Sequence, residues 1–159
     1  MAQVDYFLKL DGIAGESVDA KHKGEIELAS FSWGAQNSGS VGHGGGGGAG
    51  KVTFQDLHFV QRTQKSSPTL LTFCATGKHI PSGLLTARKA GKAQIEFLKI
   101  KLTDVLVTSF EISAGDDVPF EQISLNFSKF EFSYTAQDQT GKAVPVPPAR
   151  WDLKANKAF

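Results

Sequence analysis

A single helix, begun by a proline and set in a chain otherwise patterned for strands, is what most restricts the folds open to this sequence. Val52, Thr53 and Phe54 open a β-rich run that continues through Leu57, Phe59 and Val60. Ser66, Ser67 and Pro68 then supply a cap residue and the proline that favours a first helical turn. Leu70, Leu71, Cys74 and Ala75 recur at helical spacing, and Gly77 stands where a left-handed terminating residue is needed. The reading is a short amphipathic helix, with its cap residue in Ser66-Ser67, that buries Leu70 and Leu71 against a mostly β body.

Period-two alternation marks the rest of that body. It runs through Tyr6, Leu8 and Leu10, through Ile26 and Leu28, from Gln94 to Leu102, from Leu106 to Ile112 and from Ser124 to Tyr134. Turn signals fall at Asp11-Gly12 and at Ala90-Gly91-Lys92. The spacing predicts a mainly β fold: hairpins in a bent antiparallel β-barrel of two packed sheets, with the one short α-helix on its flank. Within the longer runs the apolar phase changes. Ile26 and Leu28 give way to Phe31 and Trp33, Phe54 to Leu57 and Phe59, and Phe127 to Phe130. A β-bulge at a barrel corner produces such a change, and so does a strand whose second half buries its outer face under the helix or a neighbouring subunit. Either way the chain presents more apolar surface than one small barrel interior needs, which points to oligomerisation.

The 159 residues suit one domain spanning 1–159, which at this size buries roughly 70% of the surface its unfolded chain exposes. Seventeen basic and sixteen acidic side chains, mixed along the chain, leave no electrostatic footprint for nucleic acid or an anionic membrane. Cys74 is alone, so it forms no intrachain disulfide, and on the apolar face of the helix it reads as a packed thiol. Asp5 and Lys9 interrupt the N-terminal segment, and no later stretch approaches the roughly 18 apolar residues of a membrane span. The expectation is neither a conventional export signal nor an anchor.

Gln36 to Gly50 and Ala136 to Arg150 read as loops, the first from glycine and serine, the second from Gly141, Pro145, Pro147 and Pro148. Gly42, Gly44 and Gly47 match a GxGxxG string, and Gly45 to Lys51 nearly match a phosphate-binding loop. Val52 stands where that loop needs a magnesium-binding Ser or Thr, and a strand rather than a helix follows. His22, His43, His58 and His79 have no ligand spacing. Asp116-Asp117, between Gly115 and Val118-Pro119, is turn chemistry, and no serine lies in a nucleophile elbow. No catalytic, metal or cofactor site is expected.

Five pieces occur in order: YFLKLDGIAGESVDAKHKGEIELASFSWG from Tyr6, the glycine loop running into VTFQDLHFVQRTQKSSPTLLTFCATGKHI, LTARKAGKAQIEFLKIKLTDVLVTSFE from Leu85, SLNFSKFEFSY from Ser124, and WDLKANK from Trp151. Together they resemble the haemolysin-coregulated protein family, the tube-forming protein of bacterial type VI secretion systems, over nearly the whole chain. The resemblance implies a structural subunit rather than an enzyme. Its implied partners are five further copies in a homohexameric ring, stacked rings above and below, effector proteins in the lumen, a spike protein at the tip and a contractile sheath outside. It also implies assembly in the bacterial cytoplasm and secretion without a cleaved signal peptide, and, with the chain ending at Phe159, a plain tube subunit without a fused toxin domain.

Two sets of residues stand out as candidates. Ser30 and Ser32 alternate with Phe31 and Trp33 and so project from the opposite face of one strand, as any half-exposed strand would show. The resemblance makes them lumen residues that touch cargo. The glycine loop, with Gly42, His43, Gly44, Gly45, Gly46, Gly47, Gly48, Gly50 and Lys51, reads in a lone protomer as a connector whose ordering is entropically costly. The resemblance makes it an extended loop that reaches adjoining subunits and docks one ring on the next. A monomeric β-barrel holding a small ligand is the competing reading.

Overall fold

The computed structural model describes residues 3–39, 51–91 and 94–159. In chain order these form β1 (Val4–Leu10), β2 (Ile26–Leu28), β3 (Ser30–Ser32), β4 (Ala35–Asn37), β5 (Val52–Phe54), β6 (Leu57–Arg62), α1 (Ser67–Thr76), β7 (Ile80–Lys89), β8 (Glu96–Ser113), β9 (Phe120–Gln137), β10 (Ala143–Pro145) and β11 (Ala149–Asp152). One antiparallel sheet runs β2-β1-β7-β8-β9-β6-β3, with β10 and β11 also paired to β9, while β4 and β5 make a separate two-stranded arm. β2 and β3 lie at opposite ends of this order, yet only Ala29 separates them in the chain. The Ala29 N–H donates to the Val60 carbonyl at 2.8 Å, and Gln64 Nε2 donates to the Glu27 carbonyl at 3.2 Å. These two bonds draw the sheet edges together into a nearly closed barrel, which leaves few strand edges exposed.

Each phase change in the sequence has a structural cause. At Ala29 the chain leaves β1, the partner of β2, for β6, the partner of β3. Between Phe54 and Leu57 it leaves the arm for the barrel. The third lies inside the β8–β9 hairpin, where Leu102 pairs with Phe130 and Val105 with Phe127. Both strands advance three residues between these pairs, so no residue is inserted and there is no bulge at this point. Asp104 instead takes a left-handed φ of 54°, and the hairpin turns its apolar side chains to the other face on both strands at once. One half of the hairpin thereby joins β1 and β7, the other joins β6 and β3, which is how two packed sheets arise from one ladder. True register shifts occur elsewhere, between Val107 and Ser109 and between Ala87 and Arg88.

The interior is filled. Leu57, Phe59, Ile100, Leu102, Ile123 and Leu125 are each 0% exposed, and burying side chains of this kind is worth about 1.5–3 kcal/mol apiece. A ligand-holding barrel needs a hollow that these residues occupy.

The helix forms where expected, with Pro68 in its first turn and Gly77 terminating it at φ 71°, its N–H donating to the Phe73 carbonyl at 3.0 Å. Two expectations change. Ser66 has helical dihedrals (φ −70°, ψ −17°), so its hydroxyl does not cap; it donates instead to Gln61 Oε1 at 3.3 Å, while Ser67 Oγ accepts the Gln64 N–H at 2.9 Å. Leu70 is fully buried but Leu71 is half exposed, because the barrel contacts a narrow stripe that continues through Phe73 and Cys74. Both presumed loops also contain strand: Ala35–Asn37 pairs with β5, and Ala136 to Arg150 holds the end of β9, β10 and the start of β11.

Candidate assembly surface

β3 carries Ser30 and Ser32 outward, both exposed, while Phe31 between them packs against the core. Register shows what shares their face. Ser30 pairs with Val60, Val60 with Gln122 and Gln122 with Glu111; Ser32 pairs with His58, His58 with Ser124 and Ser124 with Ser109. Directly opposed residues in antiparallel strands point the same way, so the two serines belong to a four-strand polar face. His58 Nδ1 lies 2.6 Å from Ser124 Oγ and ties two of its strands together.

The glycine loop springs from the β4–β5 arm, and the base of that arm is held on two sides. Trp33 Nε1 donates to the Gln55 carbonyl at 2.9 Å, and its ring meets Phe130 edge-on with centroids 4.8 Å apart. Phe54 approaches the same Phe130 ring at 4.9 Å. Asp56 accepts hydrogen bonds from Thr108 Oγ1 at 2.7 Å and Asn126 Nδ2 at 2.8 Å. Lys51 is exposed where β5 begins; Gly42 to Gly50, His43 included, lie outside the described residues.

A third feature was not legible in the sequence. Residues 14–25 cross the outer face of β1 and are stapled there by side chains. Arg88 on β7, 3% exposed, donates to both carboxylate oxygens of Asp19 at 2.9 and 2.7 Å and to Asp5 at 3.3 Å. The Arg88 hydrogen bonds, helped by the Lys21 backbone N–H, hold the Asp19 carboxyl far below the usual carboxylate range. His22 is 6% exposed and stacks on Phe7 with centroids 4.3 Å apart, its Nδ1 2.8 Å from Glu25 Oε2 and its Nε2 2.7 Å from Glu96 Oε1. Burial pushes the Glu96 carboxyl up, but the bonds from His22 and Lys99 outweigh it and bring it below its ordinary value. Arg88 lies 69 residues from Asp19 and 83 from Asp5, and His22 lies 74 from Glu96, and no local pattern announces such pairs.

Near the kink of the β8–β9 hairpin, His79 Nδ1 lies 2.7 Å from Asp104 Oδ1, and Lys154 Nζ lies 3.5 Å from Asp104 Oδ2. The His79 bond, with Lys154 adding to it, lowers the Asp104 carboxyl. Asp116 and Asp117 lie exposed in the β8–β9 turn, where Asp117 Oδ1 accepts the Val118 N–H at 2.7 Å. Among the described residues no three His, Cys, Asp or Glu side chains converge as a metal-binding group.

Residues 7–134 match the family model described as "Type VI secretion system effector, Hcp". The chain belongs to the Hcp family. It is 43% identical over 157 residues to Protein hcp1 of Pseudomonas aeruginosa, an alignment covering 96% of this chain and 97% of that protein. The crystal structure of Hcp1 from Salmonella typhimurium matches with a TM-score of 0.82 at 37% identity, covering 99% of this chain and 100% of that one. A structure described as a type six secretion system protein matches with a TM-score of 0.91 at 32% identity, covering 98% and 99%. As an Hcp-family member the chain is a tube subunit of a type VI secretion system, from a family of secreted structural proteins. No helix among its described residues is long and apolar enough to cross a membrane.

Proposed function

We infer that this Hcp subunit, acting as one domain over 1–159, forms a homohexameric ring, and that rings stack into the hollow inner tube of a type VI secretion system. Its action is assembly, with no chemical step. The observation that carries this reading is the pairing of a filled barrel interior with a broad polar outer face around Ser30 and Ser32. A face of exposed serines, with few apolar side chains, suits a channel wall that holds protein cargo weakly and releases it, since permanent interfaces are more apolar. The glycine loop, from Gly42 to Gly50 with Lys51, serves ring-on-ring docking, supported by the rigid aromatic base from which it springs. Effector proteins occupy the lumen, a spike protein caps the tube and a sheath surrounds it. The subunit assembles in the cytoplasm and leaves the cell without a cleaved signal peptide.

Electron microscopy of the purified protein tests the ring-and-tube reading. The intact chain should give rings that stack, and deletion of Gly44 to Gly48 should leave rings while abolishing stacks; stacks formed equally by the deletion variant would remove the loop from the mechanism. Cargo contact is tested separately with a co-expressed effector of the same system. Ser32→Arg should reduce its retention in intact rings, and undiminished retention would take Ser32 out of the cargo surface.

A further inference from the structure

Pro145, Pro147 and Pro148 lie outside the core, and tube assembly gives them no task. They sit between two short strands that share β9 as partner. Pro145, the last residue of β10, pairs with Thr135, and Ala149, the first of β11, pairs with Phe132. Four steps of chain therefore answer three on β9, so residues 146–148 stand off the ladder while both ends stay clamped to it. Sequence explains the gap. Pro147 and Pro148 have no N–H to give β9, whereas the Val146 N–H still reaches the Tyr134 carbonyl at 3.1 Å.

The same residues set the backbone. Each proline fixes its own φ near about −65°, and Val144, Val146 and Pro147 each precede a proline, which keeps them out of the helical region. Residues 144–148 are thereby committed to an extended, polyproline-type course with about three residues per turn. On that course Val144 and Pro147 share one edge, Pro145 and Pro148 the next, and Val146 stands apart from both. Val144 and Val146 are each 44% exposed, Pro145 and Pro147 are exposed, and Pro148 is half-buried. Arg150 follows with two contacts to Glu131, both at 3.4 Å; an exposed pair of that length constrains little, so the apolar ridge rather than a charge is what a partner meets. A ridge already fixed in its bound form loses little entropy on docking. Strand addition by a second copy is disfavoured here, because prolines withhold the N–H donors that such pairing uses.

We propose that the Val144-Pro145 and Pro147-Pro148 pairs form a ligand ridge for a partner protein with an aromatic-lined groove of the SH3 type, each apolar-proline pair filling one slot between aromatic rings. This goes beyond the tube reading and stands whether or not rings form. The probe is a purified, isotope-labelled SH3 domain that takes ligands of the order apolar-Pro-x-apolar-Pro-x-basic, titrated with the full chain and followed by NMR. The folded chain should shift resonances of the aromatic groove. Pro145→Ala combined with Pro148→Ala should weaken binding at least tenfold with the far-UV circular dichroism of the chain unchanged, and Val146→Ala should leave it within twofold. A free peptide spanning residues 141–152 serves as the comparison. If the peptide binds and the folded chain does not, the fold fails to present the ridge and the proposal is overturned. It is overturned equally if neither binds, or if the chain binds as well without its two prolines.

Discussion

Arg88, 3% exposed on β7, holds both carboxylate oxygens of Asp19 across 69 residues of sequence, at 2.9 and 2.7 Å. That grip fixes the 14–25 loop over β1. Asp19 is depressed in the folded state relative to an unfolded aspartate near about 3.9. Its contribution is therefore complete above that unfolded value and is lost as pH falls towards the folded one. Asp19→Asn should be less stable than the parent chain near neutral pH, with the gap narrowing once pH drops below about 4. Urea unfolding over a pH series reads this, and a gap that stays constant into strong acid would contradict it.

Leu70 and Leu71 are adjacent, but only Leu70 is buried. Leu70→Ala should cost about 2–5 kcal/mol, the range for an aliphatic side chain lost from a core. Leu71→Ala should change stability by no more than about 0.5 kcal/mol. Equal losses in denaturant unfolding would mean that the helix turns a different stripe to the barrel.

Gln61 and Glu121 face each other in register on β6 and β9, both 0% exposed, with Gln61 Nε2 donating to Glu121 Oε1 at 2.7 Å. Glu121 Oε2 has no partner among the described residues. Gln61→Leu removes the Nε2 donor that Glu121 Oε1 accepts and should cost about 1–3 kcal/mol. The double change Gln61→Leu with Glu121→Leu should cost less than that single change, since two apolar neighbours need no hydrogen bonds. Additive losses in a double-mutant cycle would argue against the coupling.

Gly15 is buried where the loop returns past β2, and a Cβ added there would come within 2.6 Å of the Ile26 nitrogen and crowd the Glu25 carbonyl. Backbone on that side cannot swing away as a side chain can. Gly15→Ala should destabilise by about 1–3 kcal/mol, the scale of a forced backbone shift in a packed interior. A crystal structure or amide exchange over residues 14–25 would show the displacement, and an unperturbed, equally stable variant would contradict the crowding.

How much of this was legible in the sequence follows from which contacts are local. α1 announced itself because Pro68 and Gly77 act on their own backbone, and β2 and much of β8 and β9 because one face of each is wet. β7 did not alternate. Thr86 and Arg88 point outward, yet the 14–25 loop covers that side and leaves them 1% and 3% exposed. The phase changes were visible in the sequence but their causes were not, since a change of partner at Ala29 and a left-handed φ at Asp104 leave the same trace as a bulge. Ser30 and Ser32 were found from alternation, whereas their companions His58, Gln122 and Glu111 required the register. Asp19, His22, Asp56 and Gln64 act on groups 37 to 74 residues away and had no local signature at all.

The most direct measurement is native mass spectrometry of the purified chain at micromolar concentration, with negative-stain images of the same sample. A dominant species of six 17.1 kDa subunits with ring-shaped views is the result this account predicts. A clean monomer throughout the accessible concentration range would contradict it and return the polar face around Ser32 to ordinary solvent exposure.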